Sequence, residues 1–194
     1  MQSDPHAVVG GSVAGADAAH SRFVQRVRRR HAGELERLDR GLPDRATIRA
    51  TIDRLRGTGR DLPAALRVTR ALVLERLAVL DVEQQAALAD VTGAMTTLAE
   101  ETLELALECA IVEADARHGV PRDAGGARID FWIVGMGKLG ARELNVSSDI
   151  DLVYVYEDDG QTAGGSGRAV SFHEYFAFVA KRLYALIGET TDDG

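Results

Sequence analysis

The stretch Gly135-Met-Gly-Lys-Leu-Gly140, followed after a short polar connection by Asn145-Val-Ser-Ser-Asp149-Ile-Asp151-Leu-Val-Tyr154, decides how the second half of this chain is read. It sets two carboxylates at i and i+2 just downstream of a glycine turn that carries a lysine. In an extended strand side chains alternate between faces, so Asp149 and Asp151 point the same way with Cα atoms about 7 Å apart, while Ile150 and Leu152 go to the other face. Two like charges at that separation repel by roughly 2 to 3 kcal/mol at an effective dielectric of about 20, and a divalent cation between them turns that cost into a ligand set. Backbone N–H groups of the turn and Lys138 suit phosphate, and the acid pair suits Mg²⁺.

On either side of this stretch the period is that of strands. Ile129-Asp-Phe-Trp-Ile-Val134 and Leu152-Val-Tyr-Val-Tyr156 are short apolar, β-branched runs, expected as buried strands. Asp158 to Gly167 is a flexible loop by composition. Ser171-Phe-His-Glu174 reads as a capping box opening a helix that buries Phe172, Phe176, Val179, Leu183 and Leu186 and ends near Gly188. Two rival readings stand beside the metal site. Gly135-x-Gly137-x-x-Gly140 also fits a dinucleotide fingerprint, with Glu157 where a ribose-binding acid would lie, although Ala141 to Ser148 is short and polar for a crossover helix. Ser147-Ser148-Asp149 also fits an ordinary turn at a strand entry.

Upstream the chain is helical. Residues 1–19 lack periodicity and read as a mobile tail. A helix is expected from His20 to Arg40 through Val24, Val27, His31, Leu35 and Leu38, with Arg28-Arg29-Arg30 on its solvated face. Asp44 caps a helix burying Ile48, Ile52 and Leu55, and Asp61 caps the next, with Pro63 in its first turn and Leu62, Leu66, Val73, Leu77 and Leu80 as its stripe. The longest signal, Glu83 to His118, carries a heptad seam through Leu88, Val91, Met95, Leu98, Thr102, Leu105, Cys109 and Val112, a helix buried in a bundle. Cys109 on that stripe is expected to be a small core residue.

Composition limits the function classes. A net charge of −7 argues against broad capture of nucleic acid. Lys138 and Lys181 are the only lysines among 23 basic residues, so Lys138 stands out where arginine was otherwise used. One cysteine cannot form an internal disulfide, no apolar run is long enough to span a membrane, and the first residues lack a secretory signal, which together point to the cytoplasm.

The string from Gly135 to Tyr154 resembles the glutamine synthetase adenylyltransferase family, and residues from about 20 onward resemble the N-terminal, adenylyl-removing unit of that bifunctional regulator. The resemblance implies an α+β fold: a helical bundle region over 20–118 packed on an incomplete nucleotidyltransferase-like core with a small sheet over 119–194. It implies Mg²⁺-dependent phosphorolysis of AMP from a tyrosine of glutamine synthetase, releasing ADP. Asp149 and Asp151 would ligate the metal. Gly135, Gly137, Lys138, Ser147 and Ser148 would line the nucleotide, and Arg142 and Glu143 would pair to shape the loop. Glutamine synthetase and a PII-type signal protein are the implied partners, with no nucleic acid or membrane. Ala141 stands where the family usually has a second glycine. Family members continue past Gly194 into a strand with a third carboxylate, so the chain is expected to be a fragment of low activity. An NAD(P)-binding domain and a non-catalytic interaction module are the competing functions.

Overall fold

Helix caps written into the sequence set the first half of the fold. In the computed structural model, which describes residues 16–188, the Asp44 carboxylate accepts from Thr47 N–H to open α2 (Arg45–Gly57), and that of Asp61 accepts from Ala64 N–H to open α3 (Leu62–Gln84). Each satisfies a donor that the first helical turn leaves unpaired. The expected stripes follow, with Ile48, Ile52 and Leu55 on α2 and Leu62, Leu66, Val73, Leu77 and Leu80 on α3 all buried.

The lead-in departs from expectation. α1 spans only Arg22–Arg30, and its chain turns at His31, whose carbonyl accepts from both Glu34 and Leu35 N–H, before a 3-10 turn at Leu35–Arg37. His31 and Leu38, on either side of the break, are both buried. Arg28 leaves the solvated face to pair with Glu75 of α3 at 2.6 Å. Of the expected tail, residues 1–15 lie outside the described residues. The rest is tied down: Asp17 caps a 3-10 turn at Ala18–His20, and buried Ala18 donates its N–H to Glu83.

The long helix begins later than its sequence suggests. Gln85 adopts a left-handed conformation (φ 53°) and closes α3, and α4 runs Leu88–His118. Its seam also drifts. The buried side moves from Val91, Met95, Leu98 and Leu105 onto Ala106, Ala110 and Ala114, a larger turn than the roughly 20° per heptad by which a straight helix departs from a 3.5-residue repeat. Leu88 and Val112, at the two ends of the expected seam, are exposed.

Strands β1 (Phe131–Gly135) and β2 (Leu152–Tyr156) pair antiparallel, from Phe131 opposite Tyr156 to Gly135 opposite Leu152. Their inner face packs on α6 (Phe172–Gly188), where Phe131 and Tyr156 each stack on Phe176 with ring centroids 4.9 Å apart. The strands are not buried on both sides, because Trp132, Val134, Val153 and Val155 form an outer face that remains exposed. α6 buries every residue expected of it, and also Tyr175, whose hydroxyl donates to Asp115 of α4 at 2.6 Å. Only half of its capping box forms: Ser171 Oγ accepts from Glu174 N–H, while the Glu174 carboxylate pairs with Arg168.

The glycine-rich loop before α6 is docked. Gly164, Ser166 and Gly167 donate their N–H groups to the carbonyls of His118, Ala116 and Arg117, the unpaired acceptors in the last turn of α4. A methyl group on Gly165 would lie 2.6 Å from Ala116 O, so glycine provides close approach there rather than looseness. The result is a mostly helical α+β arrangement with a two-stranded sheet, its core running continuously from Leu38 to Leu186.

Candidate functional site

The glycine turn is shaped by contacts at two of its glycines and by backbone geometry at the third. Leu139 of the short helix α5 (Gly137–Gly140) is buried beneath the turn, and a methyl on Gly135 would lie 2.7 Å from its Cγ. A methyl on Gly140 would lie 2.4 Å from the Gly135 carbonyl oxygen. Gly137 has φ +55°, which suits glycine. Ala141 has φ −79°, so its methyl is tolerated without strain. Met136 N–H donates to Asp151 O at 2.9 Å, extending the ladder by one rung and fixing the head of β2 against the turn.

The connection between turn and acids is anchored to α4. Leu144 is buried, and its N–H donates to Thr96 Oγ1 at 3.4 Å. Arg142, in a left-handed conformation (φ 60°), pairs with Glu100 at 2.6 Å rather than with Glu143. Beyond these anchors Asn145 Oδ1 accepts from Ser147 N–H at 3.2 Å and from the Ser148 hydroxyl at 2.7 Å. Ser148 Oγ in turn accepts from Lys138 Nζ at 3.2 Å. Glycine turn and serine pair are thus one linked unit.

Asp149 and Asp151 are both exposed, while Ile150 and Leu152 pack against the core, the alternation expected of a strand entry. Ser148, Asp149 and Asp151 edge a cleft of about 680 Å³ whose floor includes Met95, Leu98, Leu144 and Leu183. Neither acid's carboxylate has an ion pair or hydrogen bond among the described residues. Carboxylate oxygens free of protein partners, on neighbouring same-side positions, are a hard donor set fitting Mg²⁺. Among the described residues no group of three or more His, Cys, Asp or Glu is placed to hold a metal ion, so the set is the pair alone.

Sheet topology decides one rival. A dinucleotide fold requires a parallel pair joined by a crossover helix, whereas β1 and β2 are antiparallel and joined through four-residue α5. That fingerprint reading therefore fails. Cys109 is half-buried, and burial together with neighbouring Glu113 pushes its thiol up, away from nucleophile chemistry. Among the described residues no helix is long and apolar enough to cross a membrane.

Sequence reasoning did not assign Asn145 a role in the site, nor Thr96 or Glu100. A polar residue at the foot of a Ser-Ser turn signals an Asx turn, but the two α4 partners lie far upstream and carry no local signal.

A family model for glutamate-ammonia ligase adenylyltransferase matches residues 13–194. The chain belongs to that family. A Burkholderia mallei protein named bifunctional glutamine synthetase adenylyltransferase/adenylyl-removing enzyme is 45% identical over 156 residues, covering 77% of this chain and 17% of that protein. Proteins of the same name from Ralstonia nicotianae and Stenotrophomonas maltophilia are 38% identical over 193 residues and 46% over 134. They match 95% and 69% of this chain but 20% and 14% of their own lengths. This member of the glutamate-ammonia ligase adenylyltransferase family thus spans a fifth or less of the length of these relatives.

Proposed function

We propose that this chain forms part of the N-terminal, adenylyl-removing unit of a bifunctional glutamine synthetase regulator, with a helical region over 20–118 and a nucleotidyltransferase-like core over 119–194. The supporting observation is the pairing of two exposed, unpartnered aspartates at the head of β2 with a lysine tied to the adjoining serine. Asp149 and Asp151 would hold Mg²⁺, which when bound neutralises phosphate oxygens. Lys138 supplies a point charge to phosphate, and Gly135, Gly137, Ser147 and Ser148 give the nucleotide a backbone and hydroxyl lining. Phosphorolysis of an adenylylated tyrosine asks this of the site, because inorganic phosphate attacks an already anionic phosphorus and the tyrosine oxygen leaves, giving ADP. Glutamine synthetase is the protein substrate in this reading, and a PII-type signal protein its regulator.

Trp132 is the only tryptophan and shares a cleft with Gly135, Gly140 and Arg142 of the glycine turn, so its fluorescence serves as the probe for ligand binding there. Mg²⁺ with ADP is expected to change it, NADH is not, and Asp149→Asn or Asp151→Asn removes the response. A response unchanged in both variants overturns the site. Phosphate-dependent release of ADP from adenylylated glutamine synthetase tests the reaction itself, and its absence from the longer relatives bearing Asp149→Asn is the expected result.

A further inference from the structure

We propose that Asn145 is a positioning residue that aims the Lys138 ammonium through the Ser148 hydroxyl. The inference rests on the reading of Lys138 as a phosphate ligand and adds how the chain holds it in place. A serine hydroxyl has one proton and two lone pairs. At Ser148 the proton goes to Asn145 Oδ1 at 2.7 Å, which turns a lone pair toward Lys138 Nζ at 3.2 Å. Without Asn145 the hydroxyl is free to rotate and can present its proton to the ammonium instead. The same Oδ1 takes Ser147 N–H, so its position is fixed by the turn it closes. Leu144, the preceding residue, is buried and bonded to Thr96, which roots Asn145 on α4. Lys138 is otherwise exposed, and a long lysine stem gives up much rotamer freedom when ordered. Holding it before phosphate arrives removes part of that cost from binding.

The chain's two lysines make the relay observable. Reductive ¹³C-dimethylation leaves each amine charged with one N–H, and gives two lysine signals, Lys138 and Lys181. In the ligand-free chain Ser148→Ala is expected to move the Lys138 signal toward that of an unrestrained lysine and leave Lys181 in place. Asn145→Ala is expected to produce the same movement, and to add nothing in the Ser148→Ala background. Asn145→Asp retains the acceptor oxygen and is expected to keep the Lys138 signal away from that of an unrestrained lysine. A Lys138 signal unmoved by Ser148→Ala, or unmoved by Asn145→Ala in a folded variant, overturns the proposal. An additive effect of the two substitutions does so as well, since it shows Asn145 acting outside the relay.

The nucleotide arm is separate. Affinity for Mg²⁺ with ADP is expected to fall about two- to tenfold in Ser148→Ala, the worth of one ordinary hydrogen bond. If the ligand-free signals behave as described while Mg²⁺ with ADP never perturbs Lys138, the positioning stands and the phosphate reading of the site fails.

Discussion

The packing among α2, α3 and α4 and the segment from Gly135 to Asp151 are ordered by different forces, and the contrast shows where this fold can and cannot absorb change. The helices are fixed by burial, with Ile48, Ile52, Leu55, Leu72, Val73 and Leu77 at 1% exposure or less. The site segment exposes nearly everything it would use, and its shape depends on close glycine contacts and a few polar links to α4. Burial is spread over many contacts and degrades gradually, whereas a turn held by single contacts fails at single positions.

The largest expected effect is in the first region. Leu55→Ala removes a fully buried side chain at the base of α2 and is expected to cost about 2 to 5 kcal/mol. Asp149→Asn, exposed and without protein partners, is expected to stay within about 0.5 kcal/mol of the parent chain. Chemical denaturation of both variants measures the gap. Similar losses would show that the acid pair is part of the stability of the fold and not a site held apart from it.

Gly140→Ala comes next. The added methyl falls 2.4 Å from a backbone oxygen that no side-chain rotation can clear, so the turn must shift. A loss of about 1 to 3 kcal/mol is expected, and the Trp132 response to Mg²⁺ with ADP should go with it. Gly137→Ala tests the other kind of glycine. Open space surrounds it, and its φ of +55° lies where alanine is disfavoured by about 1 to 2 kcal/mol, so a smaller loss with weakened binding is expected. If both variants bind as the parent does, the turn does not shape the ligand site.

The same contrast explains what could be read from the sequence. Caps are local: Asp44 and Asp61 declare themselves within three residues, and the side-chain period of α6 needs only its own repeat. The alternation of exposure from Asp149 to Leu152 was legible for the same reason, since it is a property of four neighbouring residues. What could not be read depends on distant partners or on accumulated geometry. The break at Gln85 has no glycine or proline to mark it. The seam of α4 looks like a heptad over any two turns, and which side is buried further along is set by what packs there. The loop at 158–167 has the composition of a linker, yet its glycines let it approach the end of α4, a contact visible only once both elements are placed. Arg142 sits beside Glu143 in sequence and pairs with Glu100, 42 residues away.

Thr96→Val sharpens the comparison at the link between the regions. Valine keeps the shape of a fully buried threonine but leaves Leu144 N–H without an acceptor, at a cost of about 1 to 3 kcal/mol. Amide exchange at Leu144 should quicken relative to that at Leu77 inside the helical core, because the loss falls on the anchor of the site loop. Equal acceleration at both would mean the two regions open together.

The smallest effect sits at the charged seam between α2 and α4. Glu101 is 2% exposed, with Arg45 Nη1 2.6 Å from Oε1, though without an aligned N–H, and Arg49 Nη1 3.3 Å from Oε2. Burial pushes its carboxyl above the ordinary value of 4.5, and the arginine charges pull it down without cancelling that push. The folded state therefore binds the proton more tightly than the unfolded chain. The stability contributed by this group is fully present below pH 4.5 and is lost as pH rises through the raised value. Asp44 runs the other way: Thr47 hydrogen bonds hold its carboxyl below 3.8, so its contribution is present at higher pH and is lost on acidification. Glu101→Gln cannot ionise, so the melting temperature of the parent chain should fall relative to that variant as pH is raised from 4.5 toward 7. A gap that instead moves in favour of the parent chain would mean that the two arginines outweigh burial. The seam would then be held by charge, and the division between a core fixed by burial and a site fixed by polar links would no longer follow the boundary drawn here.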